Sequence, residues 1–318
     1  MSDDYSELRL LGRTGLMVSS VSLGASPLGG VPKLYGYDTS ADSARETLLR
    51  AFRGPFTLLD TSNNYSNGES ERRIGEAIRA NGGLPEGFMV VTKVDRDPDT
   101  DDFSGARVRR SIEESVERLG IDSFPIVHLH DPEFASFEQI TGRGGALEVL
   151  VRLKDEGVAK NLGVAAGSIE VSHRYLDTGI FDVVLTHNRY SLLDRFAGPL
   201  LDQATKLGLG VFNAAPYGGG MLSKGAKVQP VYGYGMGGES LRERAIAMEA
   251  ACSEFGVPLA AAALQFSVRD PRIHSTIVGV SAAHRIDETS ALLMVPIEDA
   301  LWERLDALAP PPDEWINE

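Results

Sequence analysis

Four polar side chains stand where apolar runs end. Asp60 closes FTLLD, Lys93 closes FMVVTK and His130 closes IVHLH, while Tyr65 follows Asp60 in the loop TSNNYSNGES. Residues of these types can move a proton onto or off an oxygen. Reducing a carbonyl with hydride requires a donor for the developing alkoxide, and oxidising an alcohol requires a base for its proton. A tyrosine titrates near pH 10 when unperturbed, about three units too high for easy shuttling at neutrality. A neighbouring ammonium favours the phenolate, so Lys93 can tune Tyr65. Asp60 can fix and balance the lysine, and His130 can hydrogen-bond and orient the reacting oxygen. This chemistry needs no metal. His128 and His130 are two apart and share a face on a strand, and with Asp131 they could ligate zinc. Asp131 lacks convincing spacing as the third ligand, so the set is read without a metal. His173, His187, His274 and His284 are scattered, which reads as structural or solvated.

The residues need elements to hold them. Short runs rich in β-branched residues alternate with helical patterns. Strands are predicted at Val21–Leu23, Phe56–Leu59, Met89–Thr92, Ile126–Leu129, Leu162–Val164, Val183–Leu185, Gly210–Phe212 and Ser275–Gly279. Helices are predicted at Ala41–Phe52, Ser70–Arg79, Ala106–Leu119, Gly145–Glu156, Ser168–Thr178, Phe196–Leu207 and Leu259–Arg269. In the third of these helices, Val108, Ile112, Ser115, Val116 and Leu119 share one face, and Gly120 stops it. Continuously apolar strands separated by helices imply a parallel sheet covered on both faces. Eight such units imply closure into a (β/α)₈ TIM barrel, whose strand ends converge on one mouth. Leu8–Leu11 and Leu16–Val18 around Arg13-Thr14-Gly15 read as an N-terminal β-hairpin plugging the barrel bottom. Two loops stand out, PYGGG (Pro216–Gly220) and VQPVYGYGMGG (Val228–Gly238), and the second reads as a mobile flap at the mouth. No linker composition interrupts the chain, so residues 1–318 read as one barrel domain.

Bulk properties narrow the function. The net charge of −14 offers no phosphate-neutralising term, which argues against nucleic acid and anionic membrane partners and for a small-molecule substrate. Cys252, the one cysteine, cannot form an intramolecular disulfide and reads as an inert thiol in a helix. The acidic start MSDDYSELRL lacks a basic, then apolar, leader, and no run approaches the roughly 20 apolar residues of a spanning helix, so a cytoplasmic location is expected.

The sequence resembles the aldo-keto reductases over nearly its whole length. The likeness runs through LGRTGLMVSSVSLGASPLGG (Leu11–Gly30), LLDTSNNYSNGESERRIGEAI (Leu58–Ile78), VVTKV (Val90–Val94), DSFPIVHLHDPE (Asp122–Glu133) and IVGVSAAHRIDE (Ile277–Glu288). The resemblance implies a (β/α)₈ barrel that binds NADP(H) or NAD(H) across its mouth without a Rossmann domain. It also implies a catalytic tetrad of Asp60, Tyr65, Lys93 and His130. The absence of a G-x-G-x-x-G opening a helix agrees.

Departures from the family pattern cluster at the cofactor. The Ser-Asn pair that usually holds the nicotinamide carboxamide is Ala165-Ala166 here, the usual Gln is His187, and the stacking aromatic is Ala214. The resemblance therefore leaves the ring to His187, Asn188 or the turn Pro216, Tyr217 and Gly218. A Lys that meets the 2′-phosphate of NADP is replaced by Gly279, although Arg285 matches an Arg that binds it, with Ser281 nearby. Glu288 matches the residue that meets the adenine amino group. The strings GASPLGG, DFSGARVRRSIEESVERLGID and HDPEF resemble the aldose 1-dehydrogenase branch, which implies oxidation of C1 of a free sugar to a lactone. Asn63, Asn64, Tyr35 and Tyr37 are positioned to meet sugar hydroxyls. The same resemblance admits a general aldehyde or pyridoxal-type reductase, and a non-catalytic cofactor sensor like the potassium-channel β subunits.

Overall fold

A computed structural model describes residues 8–30 and 36–316. Among the described residues ten strands are formed: β1 (Leu8–Leu10), β2 (Met17–Ser19), β3 (Val21–Gly24), β4 (Leu58–Asp60), β5 (Met89–Val94), β6 (Val127–His130), β7 (Leu162–Ala165), β8 (Val183–His187), β9 (Gly210–Ala214) and β10 (Ser275–Gly279). Strands β3 to β10 pair in parallel and close in the order β10-β3-β4-β5-β6-β7-β8-β9, as the strand–helix alternation predicts. The principal helices outside are α1 (Ala41–Ala51), α2 (Glu69–Ala80), α3 (Gly105–Leu119), α4 (Phe137–Thr141), α5 (Ala146–Asp155), α6 (Ile169–Leu176), α7 (Gly198–Lys206), α8 (Met221–Lys224), α9 (Glu239–Glu254), α10 (Leu259–Val268), α11 (His284–Leu293) and α12 (Asp299–Leu308). None is long and apolar enough by itself to cross a membrane.

Strand alternation sorts the core. Leu58, Val91, Ile126, Leu185, Phe212 and Ile277 point inward and pack on one another inside the barrel. Leu59, Val90, Val127, Val164, Val184 and Val278 have the opposite parity and pack beneath the helices. The inward parity carried two residues further, or four from Ile126, places Asp60, Lys93, His130, His187, Ala214 and Gly279 inside at the C-terminal strand ends. The predicted strands stop one to two residues short at most of these ends, because the polar terminal residues are still in the ladder.

Strands β1 and β2 form the expected antiparallel hairpin, joined through a 3₁₀ turn at Gly12–Thr14. Leu11 is fully buried among the barrel's interior residues, and Arg13 N–H donates to Gly208 O at 2.9 Å just before β9 begins. The hairpin thus closes the N-terminal end, opposite the mouth.

The long loop after β9 departs from a mobile flap. It carries helix α8, and fully buried Tyr232 anchors it by a hydrogen bond to Ser191 at 2.6 Å. Gly218 sits at φ +55° against this ring, where a Cβ would lie 1.9 Å from Cε2 of Tyr232. Val228, Tyr234 and Met236 remain exposed around the anchor.

Candidate active site

Lys93 lies at the next-to-last position of β5 with only 1% of its surface exposed. A buried ammonium must direct its three protons at acceptors. It does so: Nζ donates to Asp60 Oδ1 at 2.7 Å, to the Thr61 carbonyl at 2.7 Å and to the Tyr65 hydroxyl oxygen at 3.1 Å. Burial pushes the Asp60 carboxyl above its ordinary range, against the opposing pull of Lys93. An ammonium proton aimed at the phenol oxygen stabilises negative charge there.

Tyr65 reaches this position because the loop after β4 turns tightly. Ser66, Asn67 and Gly68 all have positive φ, and Tyr65 N–H donates to Ser62 O at 3.2 Å. Asn63, 1% exposed, pins the loop from behind. Its amide donates to Ser111 O at 3.0 Å and to Glu114 at 3.1 Å, and Arg107 from α3 donates back to its Oδ1 at 2.9 Å. The amide of Asn64 donates to Arg96 O at 2.9 Å. The expectation that Asn63 meets sugar hydroxyls is therefore corrected, since its polar atoms are engaged in holding the loop, and the Asn64 amide nitrogen is likewise engaged. Tyr37 lies beneath Lys224, 5.4 Å from its ammonium, and Tyr35 falls outside the described residues.

His130 ends β6 with its ring edge-on to Tyr65, centroids 5.7 Å apart. Its Nδ1 lies 2.6 Å from Asp95 Oδ1 and 3.0 Å from Ser62 Oγ. The second Asp95 oxygen accepts from Ser62 Oγ and, at 3.0 Å, from the backbone N–H of Asn64. Burial alone lowers the His130 pKa, but the Asp95 and Asp131 carboxylates together outweigh it, and the result lies above the ordinary value. Asp95 escaped the sequence reading, although its place two residues after Lys93 gives it the same strand parity.

His128 points into the barrel, fully buried, against Phe212 and Gly163, and its ring nitrogens have no partner among the described residues. Burial and the nearby Lys93 hold its pKa well below normal, so the ring stays neutral.

The residues that the resemblance assigns to the cofactor lie at or just after the strand ends. His187 stacks on Tyr234 with centroids 5.7 Å apart, and burial with Arg189 holds its pKa down at about 4. Asn188 follows at φ +58°, and its Oδ1 is buried without a partner among the described residues. Tyr217 lies beyond buried Pro216 and before Gly218, and its hydroxyl is equally orphaned. Burial pushes that hydroxyl above the tyrosine range. Ala165 and Ala166 are buried and offer no side-chain polar atom. Gly279 is exposed at the end of β10, Ser281 follows, and Arg285 on α11 donates to Glu288 at 3.1 Å. Cys252 is buried in α9, and burial pushes its thiol up to about 11, in keeping with an inert side chain.

Comparisons with known proteins bear on the family and the fold. The chain is 34% identical to L-galactose dehydrogenase of Arabidopsis thaliana over 90% of its own length and 87% of that protein. It is 27% identical to D-threo-aldose 1-dehydrogenase of a Pseudomonas species, covering 92% and 94%. It is 28% identical to pyridoxal 4-dehydrogenase of Microbacterium luteolum, covering 94% and 96%. The holo form of an aldo-keto reductase from Bacillus halodurans has the same fold, with a TM-score of 0.76 at 21% identity over 96% of both chains. Residues 20–310 match the model of the Aldo/keto reductase family, and the chain belongs to that family of nicotinamide-dependent oxidoreductases.

Proposed function

We propose that this enzyme oxidises the C1 hydroxyl of a free aldose to a lactone, with Tyr65 as its general base. The observation that carries the reading is the Lys93 ammonium, which is buried and donates to the Tyr65 oxygen at 3.1 Å. Tyr65 takes the proton from the anomeric hydroxyl, and Lys93 lowers the cost of the phenolate that receives it. Asp60 holds Lys93 in place and balances its charge. His130 meets the same substrate oxygen through its remaining ring nitrogen. The sugar as substrate class is taken from the relatives named for aldose and galactose oxidation.

NAD⁺ or NADP⁺ supplies the hydride acceptor when bound. The orphaned Asn188 Oδ1 and Tyr217 hydroxyl fit an amide-bearing ring, since each is buried and lacks a partner among the described residues. Asn188, His187 and the turn Pro216–Gly218 would hold the nicotinamide end. Gly279, Ser281, Arg285 and Glu288 would line the other end, where the guanidinium suits phosphate. The enzyme is read as one barrel domain working in the cytoplasm on a small molecule.

The test is an absorbance assay for reduced nicotinamide. The protein is mixed with NAD⁺ or NADP⁺ and a panel of aldoses that includes L-galactose, L-fucose and D-arabinose. Turnover of at least one sugar is expected. In Tyr65→Phe it should fall on the order of 10²- to 10⁴-fold with the fold unchanged. Undiminished turnover in Tyr65→Phe would contradict the assignment.

A further inference from the structure

Arg189 follows Asn188 after β8 and is only 6% exposed. A guanidinium stays charged at any pH a folded protein meets, so its burial is not relieved by losing a proton. A buried charge is tolerated when it is paired and fully hydrogen-bonded. Arg189 is not supplied in that way. Its Nε has no partner among the described residues, and no carboxylate among them forms an ion pair with it. Asp194 feels its charge, but the two Asp194 oxygens accept from the backbone N–H groups of Phe196 and Ile316, each at 2.8 Å.

The Arg189 Nη1 and Nη2 both donate to one atom, Met236 Sδ, at 3.8 Å. Two donors converging on one acceptor put it at the open end of the fork, where a guanidinium takes carboxylate or phosphate oxygens. A thioether is a weak acceptor on a flexible side chain. Met236 is 46% exposed, so it lies on the solvent side of the buried guanidinium, and its rotation opens the fork. The same loop sets Tyr234 on His187, two residues earlier on both segments. Arg189 therefore adjoins the residues assigned above to the nicotinamide end.

In a nicotinamide dinucleotide, one ribose separates the ring from the nearer phosphate. We propose that Arg189 is a phosphate receptor: with Met236 turned aside, its guanidinium fork takes the phosphate on the nicotinamide side of the dinucleotide. The inference rests on the placement of the nicotinamide end at His187 and Asn188. Bound together, guanidinium and phosphate neutralise one another in a buried space. Against a net charge of −14, a cation beside the reacting end gives the phosphates a local attraction that the protein as a whole does not.

The test compares two fragments on the cofactor-free protein. Reduced nicotinamide mononucleotide carries this phosphate, and reduced nicotinamide riboside lacks it. Each competes with NADH or NADPH in a fluorescence titration. The wild type should bind the mononucleotide on the order of 10- to 100-fold more tightly than the riboside. Arg189→Gln should lose most of that preference and bind the riboside as before. Arg189→Lys, which keeps the charge without the fork, should fall between them. Equal losses for both fragments in Arg189→Gln would show that Arg189 only supports the loop, and would overturn the proposal. A wild type that binds both fragments equally would overturn it whether or not the variant folds. Asn188→Ala should weaken both fragments alike. An unchanged riboside affinity in that variant would count against the ring placement, with the phosphate assignment still decided by the two fragments in Arg189→Gln. No sugar enters these titrations, so failure to oxidise any aldose would count against the proposed function and leave them standing.

Discussion

The centre of the site is a buried charge pair, and that arrangement carries a stability consequence. Lys93 and Asp60 are 1% and 4% exposed and meet at 2.7 Å. Removing one partner of such a pair leaves an uncompensated charge and typically costs about 3–5 kcal/mol. In Lys93→Met, Asp60 loses the influence that lowers its pKa, and burial raises it further above the unfolded value. The sign then follows: a group with a raised folded pKa is neutral and tolerated at low pH, and stability is lost as pH rises through that pKa. Lys93→Met should therefore lose more stability at pH 8 than at pH 5, whereas Lys93→Met with Asp60→Asn should lose much of that pH dependence. Urea unfolding of both variants at the two pH values checks this. Equal losses at both pH values in the single variant would contradict it. Asp60, Lys93 and His130 were legible because each ends an apolar run, a place where a charge is conspicuous. Asp95 was not, because it sits among other acids in DRDPDTDD and reads as one more solvated carboxylate.

Among the elements, the strands were the easiest to read. Parallel barrel strands are covered on both faces, so their apolar runs are unbroken until a polar residue appears, and that polar residue is still part of the strand. Helix α9 was read only at Cys252, without its bounds. Its buried face is Leu241, Ala245, Met248, Ala251 and Cys252, largely small residues that give little contrast with the exposed side. Helices α11 and α12 were hidden in the same way by short, mixed sequences after the last strand. The loop between β9 and α9 was read as free because its glycines and tyrosines look like turn residues. Its order comes from a contact no local pattern reveals, Gly218 against Tyr232. Gly218→Ala should force Tyr232 from its pocket, since a Cβ would stand 1.9 Å from the ring and the residue sits at φ +55°. Overpacking of this kind costs about 1–3 kcal/mol. The variant should show faster proteolysis between 225 and 238 and weaker cofactor binding by fluorescence titration. Unchanged cleavage and unchanged binding would show that the loop does not depend on this contact.

At the scale of the molecule, the hairpin seals one end of the barrel and leaves the other to chemistry. Leu11 fills the bottom layer of the same interior column whose top layer is Asp60, Lys93 and His130. The protein is strongly acidic, with a net charge of −14, so an anionic dinucleotide meets a repulsive background and needs local groups to hold it, the role proposed above for Arg285, Asn188 and Tyr217. The central claim is that the C1 hydroxyl of an aldose is oxidised at this mouth. The most direct test uses an aldose deuterated at C1, chosen as the best substrate of the panel. Deuterium should be recovered in the reduced nicotinamide by mass spectrometry, with a slower rate than for the unlabelled sugar if hydride transfer limits turnover, and both label and rate should vanish in Tyr65→Phe. Reduced cofactor that carries no deuterium would contradict the account, because the hydride would then have come from another carbon.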